Sequence, residues 1–371
     1  MSTKDKQTQH IFFLFFHLGL GGIQRKIVDL VHHVEEHKKY KNIVPHIVVR
    51  RTEPFNYESD LPEGFKQLHV ESVFPNKEKK SRYIFFLIYL ILVYNPKVLV
   101  PFLHHTTAYC VLMKYLFFWK KIKVVVSQDN MLSLENQLPY SIRTHSNKVI
   151  GWCYRQVDTV IVMSECAKQD LVKNYQVNPN KVTVIQNWIK DTRLHKQPKK
   201  YDLLFCGRFA PQKKPLKLLQ VIKHIKPTLP KVKLCLIGAG PEEKKLRRYI
   251  KKHSLENNVI IKPPTQKIIA EIARAKLFVL TSDFEGHPLV LLEAMTQKVV
   301  PVSLLYPGAE EQIEHGKNGF VEPTVKAMGK RIINLLQNSQ KIQTIGRRAR
   351  RTVLSNHNQS LMDKTLKVLL D

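Results

Sequence analysis

Residues 276–303 read KLFVLTSDFEGHPLVLLEAMTQKVVPVS. Two short apolar runs, KLFVLTS at 276–282 and VVPVS at 299–303, flank a segment in which Pro288 precedes an apolar stretch. Proline suits the first helical turn, where its missing N–H has no intrahelical partner to lose. This predicts a strand, a helix over Pro288–Thr296 and a second strand. The runs are almost wholly apolar rather than alternating, so the strands are expected to be buried on both faces of a parallel sheet.

The pattern repeats outward. Further apolar runs lie at 11–16, 46–50, 97–102, 124–127, 159–164 and 182–186, then at 202–207, 233–238 and 258–263. Helix-like segments fall between them, among them 24–37, 167–174, 215–225 and 242–252. Such alternation predicts an α/β fold of two doubly wound, Rossmann-like domains. The expected division is an N-terminal domain at 1–190, a polar, basic linker at 191–201 and a C-terminal domain at 202–345. A C-terminal helix within 346–371 is expected to pack back toward the first domain.

Composition bounds the function. A hydrophobic content of 43% supports sizeable cores and argues against disorder. Sixty Lys and Arg against 30 acids give a formal charge of +30, which implies an anionic partner. Nucleic acid, an anionic bilayer and a phosphorylated small molecule each fit that charge. The cysteines (110, 153, 166, 206 and 235) form no CxxC pair, so neither a zinc site nor a disulfide framework is expected. The longest apolar stretch, YIFFLIYLILVY at 83–94, is too short to span a bilayer as a helix. The opening residues read as a first strand, Ile11–Phe16, rather than a signal peptide, and the chain is expected to be cytoplasmic.

Four strand-end stretches carry candidate chemistry. GLGGIQRK (19–26) offers glycines and helix amides to an anion, although an ordinary tight turn explains it equally well. CGRFAPQKKP (206–215) follows Gly207 with Arg208 and Lys213, which suit a diphosphate clamp or are a chance pair in a basic chain. LIGAGPEEKKL (236–246) places Gly238 and Gly240 in another turn, for which simple helix initiation suffices. In EGHPLVLLE, Glu285 lies just before the expected helix and Glu293 about one and a half turns inside it. The amides of Leu289 and Val290 would face a phosphate, and the two glutamates would hold hydroxyls on either side of it. A nucleotide sugar has that layout.

With these residues in hand, the chain resembles the family-4 retaining glycosyltransferases of the GT-B fold, of the bacterial surface-polysaccharide or lipopolysaccharide type. The likeness runs from GLGGIQR through VMSECAKQDL, VTVIQNWI, CGRFAPQKK and LIGAGPEEKKL to DFEGHPLVLLEAM. The Glu-x7-Glu element is the most specific, and the Gly-Arg-x4-Lys element comes next. The resemblance implies two Rossmann-like domains facing a central cleft. It implies that Arg208 and Lys213 bind the donor diphosphate, that Glu293 holds the ribose and that Glu285 faces the transferred sugar. Gly207, Gly238, Gly286, Pro288, Leu289 and Val290 would line the donor site, and Gly21 or Gly22 would close over it. His287 stands where relatives often carry an apolar residue beside the donor sugar, and Lys214 replaces a usual glycine. His104, His105, Gln128 and Asp129 are acceptor-side candidates.

The implied reaction is metal-independent transfer from a nucleotide sugar, UDP-linked by preference, to a lipid-linked or surface-glycan acceptor, with no cofactor. The sequence contains no DxD. The basic, aromatic segments RYIFFLIYLILVYNPK and MKYLFFWKKIK point to an anionic membrane surface, the cytoplasmic face of an inner membrane, or else to an ordinary buried helix with solvated lysines. Competing readings are a GT-B sugar-nucleotide epimerase and a non-enzymatic basic protein binding membrane or nucleic acid. No nucleic-acid recognition signature supports the last.

Overall fold

The computed structural model describes residues 8–17, 21–51, 60–62, 67–69, 80–102, 104–135, 137, 147–190 and 192–371. The chain divides into two compact units, Met1–Gln186 with Met362–Asp371, and Asn187–Leu361.

The first unit contains β1 (Gln9–His17), β2 (Ile43–Arg51), β3 (Gln67–His69), β4 (Val98–Pro101), β5 (Lys123–Gln128), β6 (Thr159–Val162) and β7 (Val182–Val184). They form one parallel sheet in the order β3-β2-β1-β4-β5-β6-β7. The second unit contains β8 (Tyr201–Cys206), β9 (Leu234–Ile237), β10 (Val259–Lys262), β11 (Ala275–Leu280), β12 (Val300–Leu304) and β13 (Phe320–Glu322). Their order, β10-β9-β8-β11-β12-β13, is also parallel throughout. In each sheet the order runs one way from the first strand and then reverses. The reversals, at β1/β4 and β8/β11, are where doubly wound sheets open a crevice for ligands.

The apolar runs explain the layering. Ile11 to Phe15 are all buried, so β1 is covered on both faces. Phe12 and Leu14 share a cluster with Phe86, Leu87 and Leu90 of the helix Lys80–Tyr94. In the second unit Leu203, Leu204 and Phe205 pack with Ile222 of the helix Pro215–Ile225 and Leu291, Leu292 and Met295 of the helix Leu289–Thr296.

Four expectations change. The edge strands β3 and β13, three residues each, were not foreseen, because runs as short as QLH and FVE carry no periodicity. The stretch read as a linker is pinned to the second unit. Lys199 Nζ donates to the backbone of Ala273 and Ala275 at 2.9 and 2.6 Å, and Gln297 Nε2 to Arg193 O at 2.7 Å. The expected C-terminal helix is two helices, Ser339–Asn356 and Ser360–Leu370, separated at His357. His357 Nδ1 lies 3.0 Å from Asn187 O, and Ile189 N donates to His357 O at 2.9 Å. From Met362 onward the second of these helices belongs to the first unit. There His33 Nε2 and Tyr40 Oη each donate to Asp363 Oδ1 at 2.7 Å, while Met362, Leu366 and Leu369 are buried. Finally, the helix Lys80–Tyr94 buries only one side, leaving Phe85, Tyr89, Leu92 and Val93 exposed. Among the described residues no helix is long and apolar enough to cross a membrane. All five cysteines are free.

Candidate active site

The chain leaves β8 into residues 207–214 and β11 into residues 281–288. Both loops therefore emerge at the carboxyl edge of adjacent strands, at the reversal of strand order. They are tied together by short polar contacts. Gln212 Nε2 donates to Phe284 O at 2.8 Å, and Asp283 N donates to Gln212 O at 2.9 Å. Thr281 Oγ1 donates to the carbonyls of Lys213 and Lys214 at 3.2 and 3.0 Å.

This bracing brings Lys213 onto Glu285. Lys213 Nζ stands 2.5 and 2.6 Å from Glu285 Oε1 and Oε2, and Ser282 Oγ donates to Oε1 at 2.5 Å. Glu285 is 4% exposed. A carboxylate so buried is costly unless charge and hydrogen bonds compensate it, and Lys213 and Ser282 supply both. The sequence assigned Lys213 to a phosphate and Glu285 to a sugar; the structure makes them partners. Arg208 stands exposed on the same loop.

The glycines shape the site from behind. Gly238 has φ +155°, and a Cβ there would meet Gly207 O at 2.0 Å. The turn after β9 therefore runs backbone to backbone against the turn after β8. Gly240 is also held close, its Cβ position 2.6 Å from Phe209 O.

Pro288, with φ −62° and ψ 116°, is the N-cap of the helix Leu289–Thr296, which starts one residue later than expected. Its extended ψ keeps it outside the helix. The first amides, those of Leu289 and Val290, have no acceptor within the helix and form the positive end of its dipole. Gly286 is buried just before this turn, and Glu293 is half-buried inside the helix. Burial pushes the Cys206 thiol up, and the neighbouring Glu293 carboxylate adds to the shift. Glu293 thus lies close to the end of β8.

His287 was expected beside the donor sugar. Its ring is buried, with Nδ1 3.3 Å from Gln312 Nε2 and its centroid 5.1 Å from that of His357. Asn187 Nδ2 donates to His287 O at 2.6 Å. The site also gathers residues the sequence did not single out: Ser282, Gln212 and Tyr306. Tyr306 follows β12, and the strand-end logic that found Arg208 would have found it. It is buried, and burial, then the Glu285 carboxylate, pushes its phenol up. Its hydroxyl has no hydrogen-bond partner among the described residues. Among the described residues no three His, Cys, Asp or Glu side chains come together to hold a metal.

The first-unit candidates separate. Gly21 caps the helix Gly22–Glu36 in an extended conformation, φ −168°. Gln128 is buried and fully engaged. Its Nε2 donates to Asn130 O at 2.9 Å and Glu135 Oε2 at 3.2 Å, and its Oε1 accepts from Tyr154 at 2.5 Å. That network leaves it a structural part of the β5 end. Asp129 pairs with the buried Lys26 at 3.3 Å. His104 opens the helix His104–Leu116, and the side chain of His105 lies outside the described residues.

Residues 20–193 match the family described as Glycosyltransferase Family 4, and residues 186–352 match Glycosyl transferases group 1. The chain is similar to the poly(ribitol-phosphate) alpha-N-acetylglucosaminyltransferase of Staphylococcus aureus, 28% identical over 60% of this chain and 45% of the relative. It thus spans less than half of that relative's length. In fold it is similar to a S. aureus TarM variant bound to fondaparinux, alpha-GlcNAc-glycerol and UDP, with a TM-score of 0.79 at 16% identity, covering 98% of this chain and 100% of that one. Anabaena HepE in complex with UDP-glucose gives 0.80 at 18% identity, over 97% and 100%. The two sheets with reversed strand order, the strand-end loops and the two family matches in succession lead to one conclusion: the chain belongs to the GT-B glycosyltransferases, a family 4 module followed by a group 1 module.

Proposed function

We propose that this glycosyltransferase moves a hexose-type sugar from a UDP-linked donor, with retention and without a metal ion, to a lipid-linked or surface-glycan acceptor at a membrane. The observation that carries the reading is the Lys213–Glu285 pair, with Arg208 on the same loop as Lys213 and the helix Leu289–Thr296 opening shortly after Glu285 in the adjoining loop. Breaking the sugar–phosphate bond builds positive charge on the anomeric carbon and negative charge on the leaving phosphate. Arg208, Lys213 and the amides of Leu289 and Val290 would stabilise the latter. The departing phosphate oxygen takes the acceptor's proton while the acceptor oxygen bonds the anomeric carbon on the same face. Glu285, held by Lys213 and Ser282, would orient the sugar, and Glu293 the ribose.

Retention is supported by the α-linked product in the relative's name, since an α-linked nucleotide sugar yields an α product with retention. The UDP complexes of two fold relatives favour a uridine donor. A screen for nucleoside diphosphate release across nucleotide sugars tests the reading. UDP-sugars should lead, and EDTA should leave the rate unchanged. Arg208→Ala should lower kcat by about 10²-fold or more, and Glu293→Ala should chiefly raise the donor KM. Wild-type kinetics in both variants would sink the assignment.

A further inference from the structure

The first unit carries an apolar surface that its core does not use. On the helix Lys80–Tyr94, Tyr83, Phe86, Leu87, Leu90 and Ile91 face inward, while Phe85, Tyr89, Leu92 and Val93 face solvent. The exposed set recurs at helical spacing, so it is a continuous stripe. The helix His104–Leu116 packs beside it and exposes Leu112, Tyr115 and Leu116. The turn that follows holds Phe118 and Trp119 out at 74% and 60% exposure. The helix Asn147–Gln156 continues the surface, with Trp152 stacked on Tyr115 at 6.1 Å. Lys120 Nζ donates to Asn95 Oδ1 at 2.9 Å, joining the turn to the end of the first helix.

The segments that build this surface carry only positive charge, and the acid next to them, Asp158, is paired with Lys114 at 2.6 Å. Segments 80–97, 104–123 and 147–157 contain no aspartate or glutamate. Lys97, Lys121 and Lys148 are exposed on these segments. Ordinary monomers do not expose contiguous aromatic patches of this kind without a partner. Two copies meeting through the face would bring lysine against lysine. A bilayer of anionic lipid meets both demands: its headgroups take the lysines, and its interface takes Trp, Tyr and Phe.

We infer that the outer faces of the helices Lys80–Tyr94, His104–Leu116 and Asn147–Gln156, with the Phe118–Trp119 turn at their centre, form a docking surface for an anionic membrane. The inference deepens the proposed action on a membrane-borne acceptor. Vesicle binding is measured without donor or acceptor, so its failure would leave the transferase reading standing.

The three tryptophans make the test direct. Trp119 and Trp152 are exposed and lie on this face, whereas Trp188, 1% exposed, is buried. A blue shift in tryptophan emission on adding vesicles therefore reports the face itself. The full chain should sediment with phosphatidylcholine/phosphatidylglycerol vesicles at least about tenfold better than with phosphatidylcholine alone. Raising NaCl from about 0.1 to about 1 M, which cuts the Debye length from ~10 to ~3 Å, should weaken binding. Phe118→Ser/Trp119→Ser and, separately, Phe85→Ser/Leu92→Ser should each lose about tenfold in vesicle affinity with unchanged circular dichroism and UDP binding. Absence of binding to anionic vesicles, or wild-type binding by both well-folded variants, would overturn the inference. So would a concentration-dependent dimer abolished by the same substitutions in a protein that ignores vesicles.

Discussion

Lys213 donates to both oxygens of a glutamate that solvent hardly reaches. Removing the lysine strands that charge, while neutralising both partners does not. Lys213→Ala should therefore cost about 2 kcal/mol of stability, and Lys213→Ala/Glu285→Gln should recover most of it in denaturant unfolding. A double variant no more stable than the single one would show that the pair is not what holds the loops. Arg208, Lys213 and Glu285 stood out along the chain as charged residues in loops that follow apolar strands, and Glu293 as an acid inside an otherwise apolar helix. The pairing of Lys213 with Glu285 was not, because it depends on two loops 72 residues apart in sequence meeting at one sheet edge. Ser282, Thr281 and Gln212, which fix the geometry, are ordinary loop residues with no pattern of their own. His287 was noticed for its oddity, but its burial against Gln312 and His357 depends on distant segments.

At the scale of elements, alternation and apolar runs located eleven of the strands, since a strand buried on both faces is apolar along its length. Surface disposition was harder to read. Within the helix Lys80–Tyr94, residues Ile84–Tyr94 are largely apolar all round, which suits a buried helix, but only one side is buried. The turn after β8 shows a further element-level compromise. Lys214 sits between the turn Pro211–Lys213 and the helix Pro215–Ile225 in the left-handed region, φ +44°. A side chain there is strained, and a glycine is not. Lys214→Gly should raise unfolding stability by about 0.5 to 1 kcal/mol, even though it removes the exposed ion pair to Asp283. Lower stability would show that this ion pair outweighs the backbone strain.

For the whole molecule, two sheets with one switch point each were readable, and so was the return of the chain's last helix to the first unit. Nothing along the chain named that helix's partners there, such as His33 and Tyr40, more than three hundred positions earlier. Ending the chain after Leu361 would remove Met362, Leu366 and Leu369 from the first unit's interior together with the Asp363 contacts. The first unit should lose about 5 kcal/mol and become the preferred site of limited proteolysis, while the second unit keeps its protection. Unchanged protease resistance in the first unit would make the helix dispensable. The same feature sets an order of events during synthesis. A ribosome delivers the first unit's sheet early, then the entire second unit, and only then the helix that completes the first. The first unit must wait, partly open, while its neighbour is made. Chaperone demand for this protein should therefore fall on its earliest-made half, and a prematurely terminated chain would carry an unfinished first unit that quality-control proteases can recognise.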